Sequence, residues 1–151
     1  LAASHLTLFT AESCTGGLVA KVVTDVPGAS RVLKGGVVSY TNEIKRRLLG
    51  VSEETLKKET AVSSACAAEM AEGARRISGA DLGVATTGYA DGGEGVPAGC
   101  AGLVFIALAD ENGTQVKELH LTGTRAAVRE KAVKQLFRMI LDSLMSRKEN
   151  R

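Results

Sequence analysis

Tryptophan is absent from this 151-residue chain, and its aromatic complement is two tyrosines and three phenylalanines. The core must therefore be small and aliphatic. The same scarcity argues against the aromatic platforms on which single-stranded nucleic acid is bound. The only histidines, His5 and His120, stand far apart. The three cysteines, Cys14, Cys66 and Cys100, are odd in number, widely spaced and contain no C-x-x-C pair. These facts speak against a zinc framework or a disulfide scaffold and suit reduced thiols in a cytoplasmic protein. No apolar run approaches the ~18 residues of a membrane span, and no signal peptide is legible. Repeats, low-complexity segments and interdomain linkers are also missing.

What is present is ordinary for one globular domain: 44% hydrophobic residues, 24% charged residues and a net charge of +2. A domain of this size buries a substantial core without staples. The charge is uneven, since from Thr124 onward eight basic residues face three acidic ones. Such a tail attracts nucleic acid or phosphate in some proteins. More often it is a solvated helix face with cations near the helix C-terminus, and nucleic-acid readers are usually far more basic. Nucleic acid and membrane are accordingly not expected as partners.

Hydrophobic patterning predicts strands over 6–10, 35–40, 82–86, 103–109 and 116–121. A helix is expected from Thr15 or Gly16 to a turn at Pro27. Thr41 or Asn42 caps a short helix that Gly50 stops, and Ser52-Glu53-Glu54 opens another. Ser63 caps a longer helix to about Ser78, with Cys66, Met70, Ala74 and Ile77 along one face. Its small residues make a symmetric interface plausible, with a homo-oligomer, by default a dimer, as the expectation. Residues 88–102 form a glycine-rich loop, and Glu111-Asn112-Gly113 reads as a hairpin turn. Thr124 caps a final helix to about Met145, burying Val133, Leu136, Phe137, Ile140, Leu141 and Leu144. Strands alternating with helices, plus one late hairpin, specify an α/β fold: a single-domain α/β/α sandwich with a mixed, mostly parallel sheet.

Four segments can carry chemistry. Glu12-Ser13-Cys14-Thr15-Gly16-Gly17 lies where a strand feeds a helix, and helix starts offer free N–H groups to a phosphate or an oxyanion. Ser13 suits three roles there: nucleophile, phosphate ligand or helix cap. The segment is not a P-loop, since no Lys follows the glycines at the required spacing. Tyr40 and Lys45 follow the second strand. With no Ser-His-Asp set available, a desolvated Lys or a Tyr beside a cation can serve a serine as base, although from spacing alone Lys45 reads as a solvated helix cation. The loop from Gly88 through Asp91 and Glu94 is either a backbone phosphate site or a flexible lid. Arg125, with Arg129 one turn on, sits at a helix start where the dipole disfavours it, which points to a phosphate clamp or to a surface ion pair. Cys14 reads as a packing residue.

In order, Thr10-Ala11-Glu12-Ser13-Cys14-Thr15-Gly16-Gly17, Thr24-Asp25-Val26-Pro27-Gly28-Ala29-Ser30 and Gly35-Gly36-Val37-Val38-Ser39-Tyr40-Thr41-Asn42-Glu43-Ile44-Lys45 resemble the C-terminal domain of the CinA (competence/damage-inducible) family. So do Leu49-Gly50-Val51, Thr60-Ala61-Val62-Ser63 and Glu69-Met70-Ala71-Glu72-Gly73-Ala74, so the likeness runs through nearly the whole chain. The resemblance implies one domain over 1–151 that lacks the family's leading helix, and a compact α/β sandwich assembled as an oligomer. It implies nicotinamide-nucleotide amidase activity on nicotinamide mononucleotide, a small-molecule nucleotide, without metal or cofactor. By the same resemblance Ser13, Tyr40 and Lys45 are catalytic, Thr15, Gly16, Gly17 and Gly88 line the substrate site, and Arg125 contacts the phosphate. The chain departs from the family pattern after its third strand, where Asp91-Gly92 replaces a Gly-Pro step and Tyr89 takes an aliphatic position.

Overall fold

In the computed structural model, which describes residues 1–149, five strands make one sheet. They are β1 (Leu8–Glu12), β2 (Leu33–Val38), β3 (Leu82–Gly88), β4 (Leu103–Asp110) and β5 (Gly113–His120), in the order β2-β1-β3-β4-β5. β1 pairs in parallel with both β2 and β3, whereas β4 runs antiparallel to β3 and to β5. Four of the five strands thus point the same way, and β4 alone opposes them. The helices are α1 (Leu18–Thr24), α2 (Asn42–Leu49), α3 (Glu53–Lys58), α4 (Ser64–Ser78) and α5 (Arg125–Glu149).

Strand alternation divides the core into two layers. Leu8, Leu82, Val84, Val104, Ile106 and Leu108 project to one face, where Val19 of α1 and Val128, Ala132, Leu136 and Ile140 of α5 cover them. Ala11, Ala85, Phe105, Ala107 and Ala109 project to the other, against Cys66, Ala67, Met70, Ala71 and Ala74 of α4 and Leu49 of α2. This is the expected α/β/α sandwich, and β4, apolar at almost every position, is covered on both sides.

The caps appear where the sequence places them. Thr41, Ser52 and Ser63 each accept a main-chain N–H through the side-chain oxygen, and Gly50 ends α2 in the left-handed conformation. Other expectations shift. β1 runs two residues later than 6–10, since Ala11 and Glu12 continue the parallel pairing with Val37 and Val38. α1 begins only at Leu18, because Gly16 and Gly17 both take positive φ. β2 starts earlier and stops at Val38, leaving Ser39 and Tyr40 beyond its end. The hairpin turn is Glu111-Asn112, with Gly113 already paired to Asp110. Ile77 and Leu141 are exposed rather than buried, and Val128, Ala132 and Met139 take the inward positions on α5.

The chain order creates a switch point. From β1 the chain moves to β2 on one side, and later elements build β3 and β4 on the other, with α1 and α4 on opposite faces. In open α/β sheets ligands bind outside the carboxyl ends of strands that part in this way. Here those ends are Glu12 of β1 and Gly88 of β3.

α2 reaches that crevice because α4 lets it lie close. A Cβ on Gly73 would collide with the carbonyl oxygen of Leu49, the last residue of α2. Gly73→Ala should therefore destabilise the protein by about 1–3 kcal/mol through overpacking, despite the ~1 kcal/mol by which alanine favours a helix interior. Urea unfolding measures the sign. Unchanged or raised stability would show that α2 yields at no cost.

Candidate active site

The turn after β1 is held by a buried carboxylate. Glu12 is 1% exposed, and its Oε1 accepts from Thr15 Oγ1 (2.6 Å) and from the Val19 amide (2.8 Å). Its Oε2 accepts from the Ala20 amide at 3.1 Å. The side chain thus satisfies two free N–H groups of the first turn of α1 and sets a negative charge against the positive end of the helix dipole. Thr15 Oγ1 also lies 2.7 Å from Thr86 Oγ1, joining β1 to β3. From the far side Arg129 of α5 donates to the Thr15 carbonyl at 2.8 Å. Ser13 itself donates its amide to the Thr86 carbonyl. It is left with its hydroxyl turned to the crevice.

Lys45 of α2 meets that hydroxyl. Its Nζ lies 3.0 Å from Ser13 Oγ and donates to the carbonyl oxygens of Ser39 (2.8 Å) and Tyr40 (3.5 Å). The residue is only 2% exposed, and no carboxylate is among these partners. Burial therefore pushes its pKa below the ordinary 10.5, while the Cys66 and Cys14 sulfurs oppose the shift. Two carbonyls fix two of the amine's hydrogens, so in the neutral form the lone pair faces Ser13. The nearby thiols are poor rivals as nucleophiles, because burial pushes Cys14 and Cys66 up to about 11.

Ser13 and Lys45 form the floor of a cavity of about 240 Å³, lined also by Cys14, Thr87, Gly88 and Ala90. Small-molecule sites run from ~300 Å³ upward, so this one suits a ring with its substituent projecting. Tyr40, Asp91 and Arg125 make the mouth. There Arg125 Nη1 donates to Asp91 Oδ1 (2.7 Å) and Nη2 donates to the Tyr40 hydroxyl (3.0 Å).

Five of the eight expected site residues, Ser13, Lys45, Tyr40, Gly88 and Arg125, line this one cavity. Two are placed for reasons other than those expected. The Tyr40 hydroxyl bonds Arg125 and neither Ser13 nor Lys45, so the side chain beside the Ser13 hydroxyl is Lys45. Gly88 is glycine because a Cβ would strike the Leu103 carbonyl and Val104 on β4. Thr15, Gly16 and Gly17 do not line the cavity. Thr15 is buried against Glu12 and Thr86, and the amides of Gly16, Leu18, Val19 and Ala20 already donate to Ser13, Thr15 and Glu12. Most of the amides at the start of α1 are thus taken by the protein's own oxygens, Gly16 among them. Among the described residues the Cys14 amide, next to Ser13, donates to no other residue. Sequence reasoning missed the partners that give Glu12, Asp91 and Arg129 their places. The only signal for Asp91 was its departure from the family pattern. No group of three His, Cys, Asp or Glu side chains suited to a metal occurs among the described residues, and no helix there is long and apolar enough to cross a membrane.

The fold and site define an α/β/α domain that sets a buried serine–lysine pair at a sheet switch point. Residues 1–144 match the model of the CinA C-terminal domain, and the chain belongs to that family. A protein of Acetivibrio thermocellus, provisionally named competence-damage inducible, is 48% identical over 145 residues, covering 96% of this chain and 35% of that protein. One of Desulforudis audaxviator with the same name is 49% identical over 135 residues, 89% of this chain and 33% of the relative. The chain spans about a third of the length of these curated relatives. Among solved structures, the competence damage-inducible protein A of Klebsiella pneumoniae superposes with a TM-score of 0.89 at 37% identity, covering 96% of this chain and 90% of that one. The competence/damage inducible protein of Agrobacterium tumefaciens gives 0.89 at 39% identity, covering 93% and 87%.

Lys45 makes stability depend on pH in a stated direction. Its folded pKa is depressed, so between that value and 10.5 the unfolded chain binds the extra proton and stability rises with pH. Relative to Lys45→Met, the wild type should gain as pH climbs from the depressed folded value toward 10.5, by up to ~1.4 kcal/mol per pH unit. Losing the donor to Ser39 costs the variant the same at every pH and drops out of the slope. Parallel urea titrations giving a flat difference would mean that the buried amine keeps an ordinary pKa.

Proposed function

We propose that this domain hydrolyses nicotinamide mononucleotide to nicotinate mononucleotide and ammonia, with Ser13 as nucleophile and Lys45 as its base. The observation that carries the reading is the 3.0 Å approach of a nearly water-free lysine amine to the hydroxyl of Ser13. Family membership supports the choice of substrate through the resemblance described above. Neutral Lys45 accepts the Ser13 proton as Oγ bonds to the carboxamide carbon. The Cys14 amide, which lies next to Ser13 in the cavity wall and donates to no other residue among those described, is our candidate donor for the oxyanion. The C–N bond then breaks, Lys45 returns the proton to the departing nitrogen, and ammonia leaves an ester on Ser13. Water cleaves the ester to the acid and restores the serine, with Lys45 again moving the proton.

A module that binds nucleotide without turnover is the second reading, favoured by the departure at Asp91, which occupies Arg125. One assay separates the two. Purified protein incubated with nicotinamide mononucleotide should release ammonia. Ser13→Ala and Lys45→Ala should each lose at least ~10³-fold in kcat. Tyr40→Phe, which removes a contact to Arg125 only, should cost less than ~10-fold and mainly in KM. The wild-type rate should rise with pH as Lys45 loses its proton at a value below 10.5. Binding without ammonia release would establish the module, and undiminished turnover by Ser13→Ala would remove the serine mechanism.

A further inference from the structure

The charged side chains lining the cavity are Lys45, Asp91 and Arg125. Lys45 is spent on Ser13 and two carbonyls on the floor. Arg125 is the cation left at the mouth for an anionic substituent, and both of its terminal nitrogens are already engaged. One terminal nitrogen donates to Asp91 Oδ1 at 2.7 Å and the other to the Tyr40 hydroxyl at 3.0 Å. The pair is half-exposed, with side chains 49% and 48% accessible. It joins three separate segments across the opening: the glycine-rich loop, the start of α5 and the turn before α2.

We propose that Asp91 sets the affinity of this site for the substrate's phosphate by competing with it for Arg125. The carboxylate mimics the incoming group. One phosphate oxygen takes the same Nη1 donor and a second takes Nη2 from Tyr40, and two anions cannot share one guanidinium without repulsion. An exposed ion pair shifts an equilibrium by no more than about fivefold, so the pair opens readily and the phosphate displaces it. Repulsion between Asp91 and a phosphate that remains beside it adds to the effect. The phosphate-free nucleoside meets neither cost. Asp91 thereby lowers discrimination between nucleotide and nucleoside. The inference rests on the amidase reading for its substrate but not for its main test, which is binding.

The test is calorimetric titration of the full chain at low salt with nicotinate mononucleotide and with its dephosphorylated nucleoside. Wild type, Asp91→Asn, Arg125→Gln and the double variant are compared. Asp91→Asn should tighten nucleotide binding about 3- to 10-fold without moving nucleoside binding. In the Arg125→Gln background the same change should give a clearly smaller gain, because only the repulsion is then removed. Equal tightening of both ligands, no tightening, or an undiminished gain without Arg125 would overturn the proposal. So would failure of Asp91→Asn to bind the nucleotide at all. Ammonia release is followed in parallel. If the binding shift occurs without turnover, the amidase reading fails and the role of Asp91 stands. Turnover with an unshifted nucleotide preference would have the opposite meaning.

Discussion

A lysine amine held out of water against a serine hydroxyl is the constraint around which the domain is arranged. An ammonium taken out of water is costly unless it is paired and hydrogen-bonded, and the partners of Lys45 are two carbonyls and a hydroxyl. Its burial is therefore tolerated by architecture and not favoured by local preference. Thr41 and Gly50 delimit α2, Gly73 lets the end of α2 settle on α4, and the chain past β2 bends so that the carbonyls of Ser39 and Tyr40 face the amine. Each step is a backbone constraint, and the position of Nζ is their sum.

A second buried charge complements the first. Glu12 lies one residue before Ser13 but faces away from it, toward the first turn of α1 and Thr15. Its carboxylate consumes donors that would otherwise make the start of α1 an anion site. The turn between β1 and α1 is thereby rigid on both sides, through Thr86 on β3 and Arg129 on α5, and Ser13 is presented from a fixed backbone. Preorganisation of this kind holds the Ser13 hydroxyl against the Lys45 amine without further rearrangement.

Much of the fold was legible because its signals are local. Side-chain caps at Thr41, Ser52 and Ser63, the glycine stop at Gly50 and the unbroken apolar run of β4 each report chemistry within a few residues. The errors arose where neighbours decide. Glu12 reads as a loop residue until parallel pairing on both sides extends β1 through it, and Ile77 and Leu141 fit a helical stripe whose edges only packing can set. The site divides in the same way. Ser13 stands out as a hydroxyl at a strand-to-helix turn. Lys45 is a candidate base by residue type but reads locally as a solvated cation. The resemblance to a family tipped the reading, because its burial comes from the packing of α2 on α4, where Gly73 admits Leu49 from more than twenty residues away. Thr15, Gly16 and Gly17 lie outside the cavity wall although they were expected to line the site: a glycine-rich helix start resembles an anion site whether or not an internal carboxylate takes the donors just beyond it.

The surplus of positive charge in the last helix illustrates the same limit of composition. Along α5, Arg125 bonds Asp91 in the loop, Arg129 bonds the Thr15 carbonyl, Lys131 bonds the Thr122 carbonyl and Arg147 pairs with Asp110 at the β4–β5 hairpin. These cations are directed to different parts of one domain and do not form a single face. Two of these partners are main-chain carbonyls, which carry no formal charge, and two are carboxylates that lie outside the tail, so the tail counts as basic while these four charges act internally. α5 therefore works as a strap across the sheet. Its apolar side covers β3 and β4, and its long cationic side chains reach to the turn after β1, the mouth of the cavity and the distal hairpin. The same helix that closes the core thus sets both the rigidity behind Ser13 and the charge at the entrance to the site.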